Sequence, residues 1–324
     1  MKNLTCKNCG GMMTLDASAV VATCHYCGSS YVLNHEDTDY YMDFYNQMCD
    51  FLSGDEDERN RKLKSDRLWE NAAEQSFQSI DGNNIEIKYM YRYAEKEADV
   101  YIARRNIVYH FREPGVSKLE QYRKVVSFID YPSADTRQLS NFFPKVNGGF
   151  ELTDGTYILV VKKEDDEYPL RLFGKLPGRH VAWIISRMEN LCCVLEYNSL
   201  VHPQINPDTL FINPYAHTAS LYGNWWNAGK NHSYMTNGST LLTMKQNLQG
   251  LRNSAAYLLG CDMPSKVKET SDIPKALADF ISGEPADNAY DDFAYWDKML
   301  IQAYGKRKFV KMGTDDEQIY TQKE

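Results

Sequence analysis

Apolar and polar residues alternate along most of the chain between residues 77 and 162, which is the pattern of strands with one buried face. The alternation predicts two strands around a turn at Asp81-Gly82 and two more over residues 98–113. It also predicts a hairpin that turns at Asp154-Gly155. A helical stretch, residues 117–129, separates these strand pairs, because its apolar positions recur every three or four residues. This part of the chain is therefore expected to be β-rich with one helix.

Helical spacing dominates the remainder of the chain. Residues 178–201 are apolar around most of a helical circumference, which predicts a long buried helix. Two further helices are expected near the end, separated by Gly-Glu-Pro at residues 283–285. Ahead of the strands, residues 35–73 are polar and charged, and their spacing predicts two connector helices with a break at Ser53-Gly54.

Composition narrows the class of protein. The chain has 324 residues, of which 43% are hydrophobic and 13% aromatic, so it is long enough for two domains and can bury a real core. Its net charge of −8 opposes a general affinity for DNA, RNA or anionic membranes, because such surfaces need clustered cations. The sequence has no apolar run of about 18 residues and no apolar signal region near Met1, so we expect a cytoplasmic protein.

Four of the eight cysteines form a metal-binding pattern at the start of the chain. Two Cys-x-x-Cys pairs are separated by fourteen residues, and a glycine follows each pair and permits the tight turn around the sulfurs. Four thiolates suit tetrahedral Zn²⁺ and leave no position open for water, so one structural zinc ion is expected rather than a catalytic one. A redox role for the two pairs is the weaker alternative. The expected ligands are Cys6, Cys9, Cys24 and Cys27.

The four-cysteine segment is expected to be a zinc ribbon built on a short hairpin and a last strand near residues 29–33. A module of this size has too small a core to be stable without its metal. Zinc ribbons bind nucleic acid or protein, and residues 1–34 contain two lysines and no arginine. That charge favours contact with a protein partner, with nucleic acid as the less favoured alternative.

The segment Leu200–Pro214, LVHPQINPDTLFINP, follows the long predicted helix and has the spacing of a catalytic loop. Together with the order of strands, one helix, strands and a buried helix, it resembles the protein kinase family over residues 70–312. The resemblance is to the divergent kinases of bacteria and their phages. It implies an α+β fold of two lobes. The alternative is an unrelated α+β fold in which the loop spacing is a coincidence.

Compared with the kinase pattern, the sequence lacks the groups that hold ATP phosphates. Residues 89–103, where a glycine-rich loop would lie, contain no glycine, and a backbone cradle for phosphate is hard to build without glycine. In the strand that would carry the phosphate-pairing lysine, His110 or Arg112 falls near that place. Glu120 in the next helix is a possible partner for such a cation, although a lone exposed glutamate is usually solvated.

The loop keeps the histidine of the kinase pattern and loses its acidic residue. His202 matches that histidine and is expected to hydrogen-bond the backbone near residues 220–223. Gln204 takes the place of the catalytic aspartate, and an amide cannot take up a substrate proton. Thr209 replaces the metal-binding asparagine. The other degenerate positions are Asn206, where many kinases have lysine, Gly223, in a region that supplies no aspartate in either register, and Asn247, a stand-in for the aspartate that supports the loop.

These substitutions predict a pseudokinase that is not an enzyme and that acts as a scaffold or regulator through protein contacts. One alternative is an atypical nucleotide-dependent transferase, which would need a pair of carboxylates near Gln204. Another is nucleic-acid binding through the ribbon. The expected domains are a zinc ribbon over 1–34, a helical linker over 35–73, a β-rich lobe over 74–162, a helical lobe over 163–312 and a polar tail over 313–324.

Overall fold

The structure is a computed structural model, and it describes residues 13–15, 21–24, 30–32, 56–133, 135–235, 240–305 and 312–321. The chain divides into two compact units, Met1–Asp66 and Arg67–Glu324. Among the helices in these described ranges, none is both long enough and apolar enough to span a bilayer.

The first unit contains a small antiparallel sheet. Its strands are β1, Met13–Leu15, β2, Val21–Cys24, and β3, Ser30–Val32, paired in the order β1-β2-β3. These are the hairpin and the last strand that the sequence predicts between and after the cysteine pairs. Cys6, Cys9 and Cys27 lie outside the described residues, as does the first connector helix, so the zinc site stays a prediction. The second connector helix is α1, Glu56–Glu70.

The second unit begins with two antiparallel sheets. The larger has the strand order β6-β7-β8-β10-β9, and helix α2, Ser117–Ser127, lies between β8 and β9 in the chain. The smaller is the hairpin β4-β5, which turns at Gly82 with a φ of 80°. The strands are β4, Ala73–Gln78, β5, Asn84–Tyr89, β6, Tyr91–Ala94, β7, Ala98–Ile102, β8, Asn106–Phe111, β9, Lys145–Glu151, and β10, Tyr157–Lys162.

Helix α2 packs on the larger sheet through the apolar positions that its sequence spacing predicts. Leu119, Tyr122 and Val125 are buried on this face. The helix approaches strand β9 so closely that a Cβ atom at Gly149 would lie 2.7 Å from the Leu119 side chain. A side chain at position 149 would therefore require the Leu119 and Arg123 side chains to shift.

The rest of the second unit is mainly helical, with short strands at its junction with the larger sheet. Its helices are α3, Gly178–Tyr197, α4, Lys245–Leu258, α5, Lys275–Ser282, α6, Ala289–Tyr304, and α7, Asp316–Thr321. Its strands are β11, Tyr168–Pro169, β12, Leu200–Val201, β13, Leu210–Asn213, β14, Thr218–Leu221, and β15, Gly229–Lys230. As its all-round apolar sequence predicts, α3 buries most of its surface.

The chain end differs from the polar tail that the sequence predicts over residues 313–324. Helix α7 lies there, with Ile319 and Tyr320 buried. Asp316 is also buried, and its carboxylate accepts hydrogen bonds from Trp69 Nε1 at 2.9 Å and from the Tyr168 hydroxyl at 2.6 Å. Because these donors lie far away in the sequence, local polarity gave no sign that this segment would pack.

Candidate functional site

His202 lies at the end of β12, at the start of the catalytic-type loop, and is fully buried. Its Nε2 donates to the Gly223 carbonyl at 2.7 Å, and its backbone N–H donates to Asn247 Oδ1 at 2.8 Å. The Asn247 amide in turn donates to the Leu200 carbonyl at 2.9 Å. Burial lowers the pKa of His202 to about 4, against the opposing effect of the Gly223 bond. The structure thus joins three predicted positions around a neutral histidine.

The remainder of the loop is held by its own polar side chains. Asn206 Oδ1 accepts from the backbone N–H groups of Asp208 at 2.9 Å and Thr209 at 3.1 Å. The Thr209 hydroxyl donates to the Gln204 carbonyl at 2.5 Å. Asn206 and Thr209 therefore shape the loop, in the manner of an Asx turn.

A chain of amide side chains leads from Gln204 to the β6-β7 hairpin. Gln204 Oε1 accepts from Asn224 Nδ2, and Asn224 Oδ1 accepts from Asn227 Nδ2 at 2.7 Å. Asn227 Nδ2 also donates to Glu97 Oε2 at 3.0 Å, and Trp226 Nε1 donates to the same oxygen at 2.8 Å. Glu97 lies between β6 and β7, so these bonds tie the hairpin to the segment after β14.

His110 lies on the opposite face of the sheet from this network. Its Nε2 is 3.0 Å from Thr156 Oγ1, and its ring lies 5.0 Å from the ring of Phe77. Successive strand residues point to opposite faces, so the neighbouring Tyr109 faces the helical part instead. The Tyr109 ring lies 5.4 Å from Trp226, and its buried hydroxyl has no hydrogen-bond partner. His110, the cation that the sequence suggested for phosphate pairing, is therefore one residue away from Tyr109, whose side chain faces the helical part.

A cavity of about 260 Å³ lies between the hairpin and the loop. It brings together several predicted site residues and others that sequence reasoning missed. Its lining residues are Tyr93, Ala94, Glu95, Lys96, Arg171, Gln204, Asn206, Asp208 and Thr209.

Glu95 has a strongly perturbed environment in this cavity. Burial, with the nearby negative charges of Asp208 and Glu97, raises the pKa of its carboxyl to about 8. Its Oε1 is buried without a hydrogen-bond partner. A Cβ atom at Gly223 would lie 3.1 Å from that oxygen. The hairpin thus places a carboxyl directly over Gly223.

Asp208 is the second carboxylate of the cavity, and Arg171 pairs with it. Arg171 Nη2 lies 2.5 Å from Asp208 Oδ2, and Arg171 Nε also donates to Asp208 Oδ1. The Tyr93 hydroxyl donates to the Asp208 carbonyl at 2.9 Å, which links β6 to the loop. Within the described ranges no three His, Cys, Asp or Glu side chains converge as a metal site. Glu95 and Asp208 are therefore a pair of carboxyl groups beside Gln204.

Comparison with solved structures finds weak similarity to several kinase domains. It is similar to the ROP18 kinase domain in complex with AMP-PNP and sucrose, with a TM-score of 0.44 and 12% identity over 79% of this chain and 93% of that one. A Toxoplasma gondii rhoptry antigen kinase domain has a TM-score of 0.48 and 11% identity, covering 74% and 90% of the two chains. Vaccinia related kinase 3 has a TM-score of 0.48 and 14% identity, covering 70% and 91%.

No protein-family model matches the chain, and no curated protein matches it. Since every reported identity is below 25% and every TM-score below 0.5, we transfer no activity, ligand or partner from these structures. The second unit itself has a five-stranded sheet with one helix, a long buried helix and a histidine-anchored loop, in that order. The fold is therefore mixed α+β.

The prediction that the chain is not an enzyme is corrected here. It assumed that no carboxylate lies near Gln204, whereas Glu95 and Asp208 line the same cavity as that residue. Missing residue types at matched positions therefore do not establish inactivity, because another element supplies carboxyl groups that the loop lacks.

Proposed function

We propose that the protein is a kinase-like scaffold or regulator that acts by binding a partner protein. The observation that carries this proposal is an exposed aromatic face where α3 meets α6. Tyr197 ends α3 and is 49% exposed, and Tyr290 near the start of α6 is 50% exposed. The two helices join there through a 3.1 Å hydrogen bond from the Ala289 N–H to the Glu196 carboxylate. Exposed aromatic side chains in close proximity are a feature of protein interfaces.

The polar ties between the β-rich and helical parts support the same proposal. Glu97 bonds to Trp226 and Asn227, and Gln121 Nε2 on α2 donates to the Ala228 carbonyl at 3.3 Å. The Tyr122 hydroxyl on the same helix donates to the Tyr222 carbonyl at 2.7 Å. Such ties hold the second unit in one arrangement, which lowers the ordering cost of binding a partner.

The partner proposal is tested by affinity purification with the Tyr197→Ala/Tyr290→Ala double variant. We expect the wild-type chain to recover a specific protein that the double variant loses, with equal melting temperatures. Ile80→Ala is the matched control, because Ile80 is a large apolar residue that is 58% exposed in the turn between β4 and β5. Recovery of the same protein by all three chains would rule out this face as the binding surface.

We further propose that the first unit holds one structural Zn²⁺ through four thiolates, those of Cys6, Cys9, Cys24 and Cys27. Support comes from the cysteine spacing and from strands β1 to β3, which provide the hairpin that such a ribbon needs. Mass spectrometry of the metal content should give about one zinc per wild-type chain. Cys6→Ser should lose it, and Cys261→Ser should retain it. A zinc-free wild-type chain purified without chelators would contradict the proposal.

A nucleotide-dependent transferase is the second candidate function, and the position of Glu95 favours it. Proton transfer needs a group whose pKa lies near the working pH, and the pKa of the Glu95 carboxyl is about 8. In its ionised form Glu95 could accept the proton of an acceptor hydroxyl that attacks the terminal phosphate of ATP. The displaced group would then be ADP, and the phosphoryl group would end on the acceptor oxygen.

Transfer of labelled phosphate from γ-labelled ATP to the chain itself or to a generic acceptor protein tests this candidate. We expect activity that rises through pH 8 as Glu95 ionises, and a loss of about 100-fold or more in Glu95→Gln. Glu86→Gln is the control, because Glu86 is an exposed glutamate on β5. Equal transfer by the wild-type chain and Glu95→Gln would remove Glu95 from the reaction.

A further inference from the structure

A second cavity, of about 210 Å³, lies where the ends of β9 and β10 meet β13 and β14. It shares none of its lining residues with the cavity around Glu95 or with the aromatic face at Tyr197 and Tyr290. A water molecule occupies about 30 Å³ in the liquid, so this cavity has room for a small metabolite. The residues that line it are Asn141, Phe143, Lys145, Lys162, Glu164, Glu167, Asn213, Ala216, Thr218 and Tyr222.

Two lysines stand at its rim in an arrangement that is unfavourable without a counter-ion. Lys145 on β9 and Lys162 on β10 are directly opposite each other in the strand register. Like charges placed opposite on neighbouring strands repel. Lys145 Nζ donates to the neutral Asn141 side chain at 3.1 Å, and Lys162 Nζ is 3.9 Å from the exposed Glu164 carboxylate. An anion placed between the two lysines would relieve this repulsion.

The one buried acid of the cavity, Glu167, already has its own hydrogen-bond donors. Its carboxylate accepts from the Ser220 hydroxyl at 2.6 Å, from the Tyr222 hydroxyl at 2.6 Å and from the Glu164 N–H at 2.7 Å. These three bonds hold Glu167 in place against β14 and the residue after it. Glu167 is therefore bound by donors of the protein itself. The two rim lysines have no buried partner among the described residues.

The inner wall offers a further donor with a fixed orientation. Asn213 is 8% exposed at the end of β13. Its Oδ1 accepts from the N–H groups of Tyr215 at 3.0 Å and Ala216 at 2.9 Å. The side-chain oxygen is thus turned to the backbone, and Nδ2 is left as a donor with no hydrogen bond in the described part of the chain. Thr218, on the adjoining strand, adds a hydroxyl to the lining.

We propose that this cavity binds a small organic anion, with its phosphate or carboxylate group held between Lys145 and Lys162. Asn213 Nδ2 and the Thr218 hydroxyl bind the same anionic group from the inner wall, and Phe143 and Tyr222 pack against its carbon atoms. The protein has a net charge of −8, so its overall field does not attract anions. Selection of an anion therefore depends on the local positive charge of the two lysines at the cavity. The site does not depend on the proposed partner-binding or transferase function.

Isothermal titration calorimetry with inorganic phosphate and, separately, malonate tests this proposal, in chloride buffers of equal ionic strength. We expect at least one of the two to bind the full-length, zinc-loaded chain with a millimolar or lower dissociation constant. Lys145→Gln and Lys162→Gln should each weaken binding by about fivefold or more, because charged hydrogen bonds to the anion are lost. Glu164→Gln should strengthen it, because Lys162 is then released from its acidic neighbour.

Lys298→Gln is the matched control, because Lys298 is an exposed lysine on α6 and should leave the affinity unchanged. Binding of phosphate alone would assign a phosphorylated ligand, and binding of malonate alone would assign a carboxylate. Failure of both anions to bind the wild-type chain would overturn the proposal. Equal affinity in the Lys145→Gln/Lys162→Gln double variant would overturn it too, since the anion would then act elsewhere on the surface.

Discussion

Glu95 is an acid whose surroundings in the cavity beside Gln204 oppose its ionisation. Its carboxyl is flanked by two further acids, Asp208 and Glu97, and its Oε1 has no donor. A buried carboxylate without a donor is unstable and holds its proton to higher pH. Perturbed groups of this kind gather at functional sites more often than elsewhere, and this supports the second proposed function, a transferase that uses this cavity.

The raised pKa of Glu95 predicts how the free energy of unfolding depends on pH. The folded-state pKa of Glu95, about 8, lies above the usual value of 4.5 for a free carboxyl. The folded state therefore binds more protons than the unfolded state between these values, and this group reduces stability as pH rises. Glu95→Gln should raise the free energy of unfolding at pH 9 by about 2–4 kcal/mol over the wild-type chain.

Urea denaturation at pH 5 and pH 9, followed by tryptophan fluorescence, measures that difference. At pH 5 the two chains should differ little, because Glu95 is protonated in the folded state and nearly isosteric with glutamine. Glu86→Gln on β5 controls for the removal of a surface charge. A gain in Glu95→Gln that is equal at both pH values would contradict the assigned pKa.

The Glu97 carboxylate is one of two polar ties described above between the β6-β7 hairpin and the helical part, the other being the bond from Tyr93 to Asp208. Glu97→Ala removes the acceptor for Trp226 Nε1 and Asn227 Nδ2. Hydrogen exchange of the amides in Ala98–Ile102 should therefore accelerate by about tenfold or more, because each charge-assisted bond contributes about 1.5–3 kcal/mol. Lys96→Ala, at the exposed neighbouring position, should leave exchange unchanged. Unchanged exchange in Glu97→Ala would show that this tie does not hold the hairpin.

Helices α3, α4 and α6 meet around a buried ionic cluster. Arg252 on α4 donates to both carboxylate oxygens of Asp292 at 2.8 Å, lies 3.5 Å from the Glu189 carboxylate and covers the Phe280 ring at 3.5 Å. Burial and Asp292 raise the pKa of Glu189, while Arg252 opposes that shift. The cluster therefore depends on one cation to offset two acids.

Arg252→Met should lower the free energy of unfolding by about 3–5 kcal/mol, because Asp292 would be left as a buried charge without its cation. Replacing both residues, as in Arg252→Met/Asp292→Leu, should recover part of that loss, since an apolar pair leaves no buried charge. Thermal and urea unfolding of the three chains provide the measurement. A loss below about 1 kcal/mol in Arg252→Met would mean that Asp292 takes up a proton instead.

Sequence patterns predicted most of the strands and helices of the second unit, because alternation and helical spacing are local properties. They also predicted the His202 bond to the segment after β14. Two site features escaped them for physical reasons. Tyr109 and His110 alternate between faces, and only the packing of α2 shows which face is inward. Glu95 reaches the loop through the hairpin, a contact that no local pattern encodes.

At the scale of the whole molecule, the second unit has an unusual source of charge beside its catalytic-type loop. The loop and the segment after β14 supply amides, Gln204, Asn224 and Asn227, in place of the acids of the kinase pattern. The hairpin supplies the carboxyl groups instead, through Glu95 and Glu97. A neutral amide forms a hydrogen bond with a neighbouring carboxylate, whereas a second acid would repel it. Amides in the loop region are therefore compatible with carboxyl groups on the hairpin.

The two units of the chain should respond differently to the loss of metal. A four-cysteine ribbon depends on its ion for folding, because binding of structural zinc contributes about 10–16 kcal/mol to such small modules. The second unit has an extensive apolar core of its own, which includes Trp225, Trp226 and Trp296. All five tryptophans of the chain lie in the second unit, so their fluorescence reports on that unit alone.

Treatment with a strong chelator should therefore release one zinc ion without changing the midpoint of the tryptophan-detected thermal transition. Far-UV circular dichroism should lose a small signal from the first unit, and Cys6→Ser should show the same spectrum without chelator. Cys261→Ser keeps its zinc and serves as the control for loss of a thiol. A tryptophan transition that falls by several degrees on chelation would contradict this independence, because the ion would then stabilise the second unit as well.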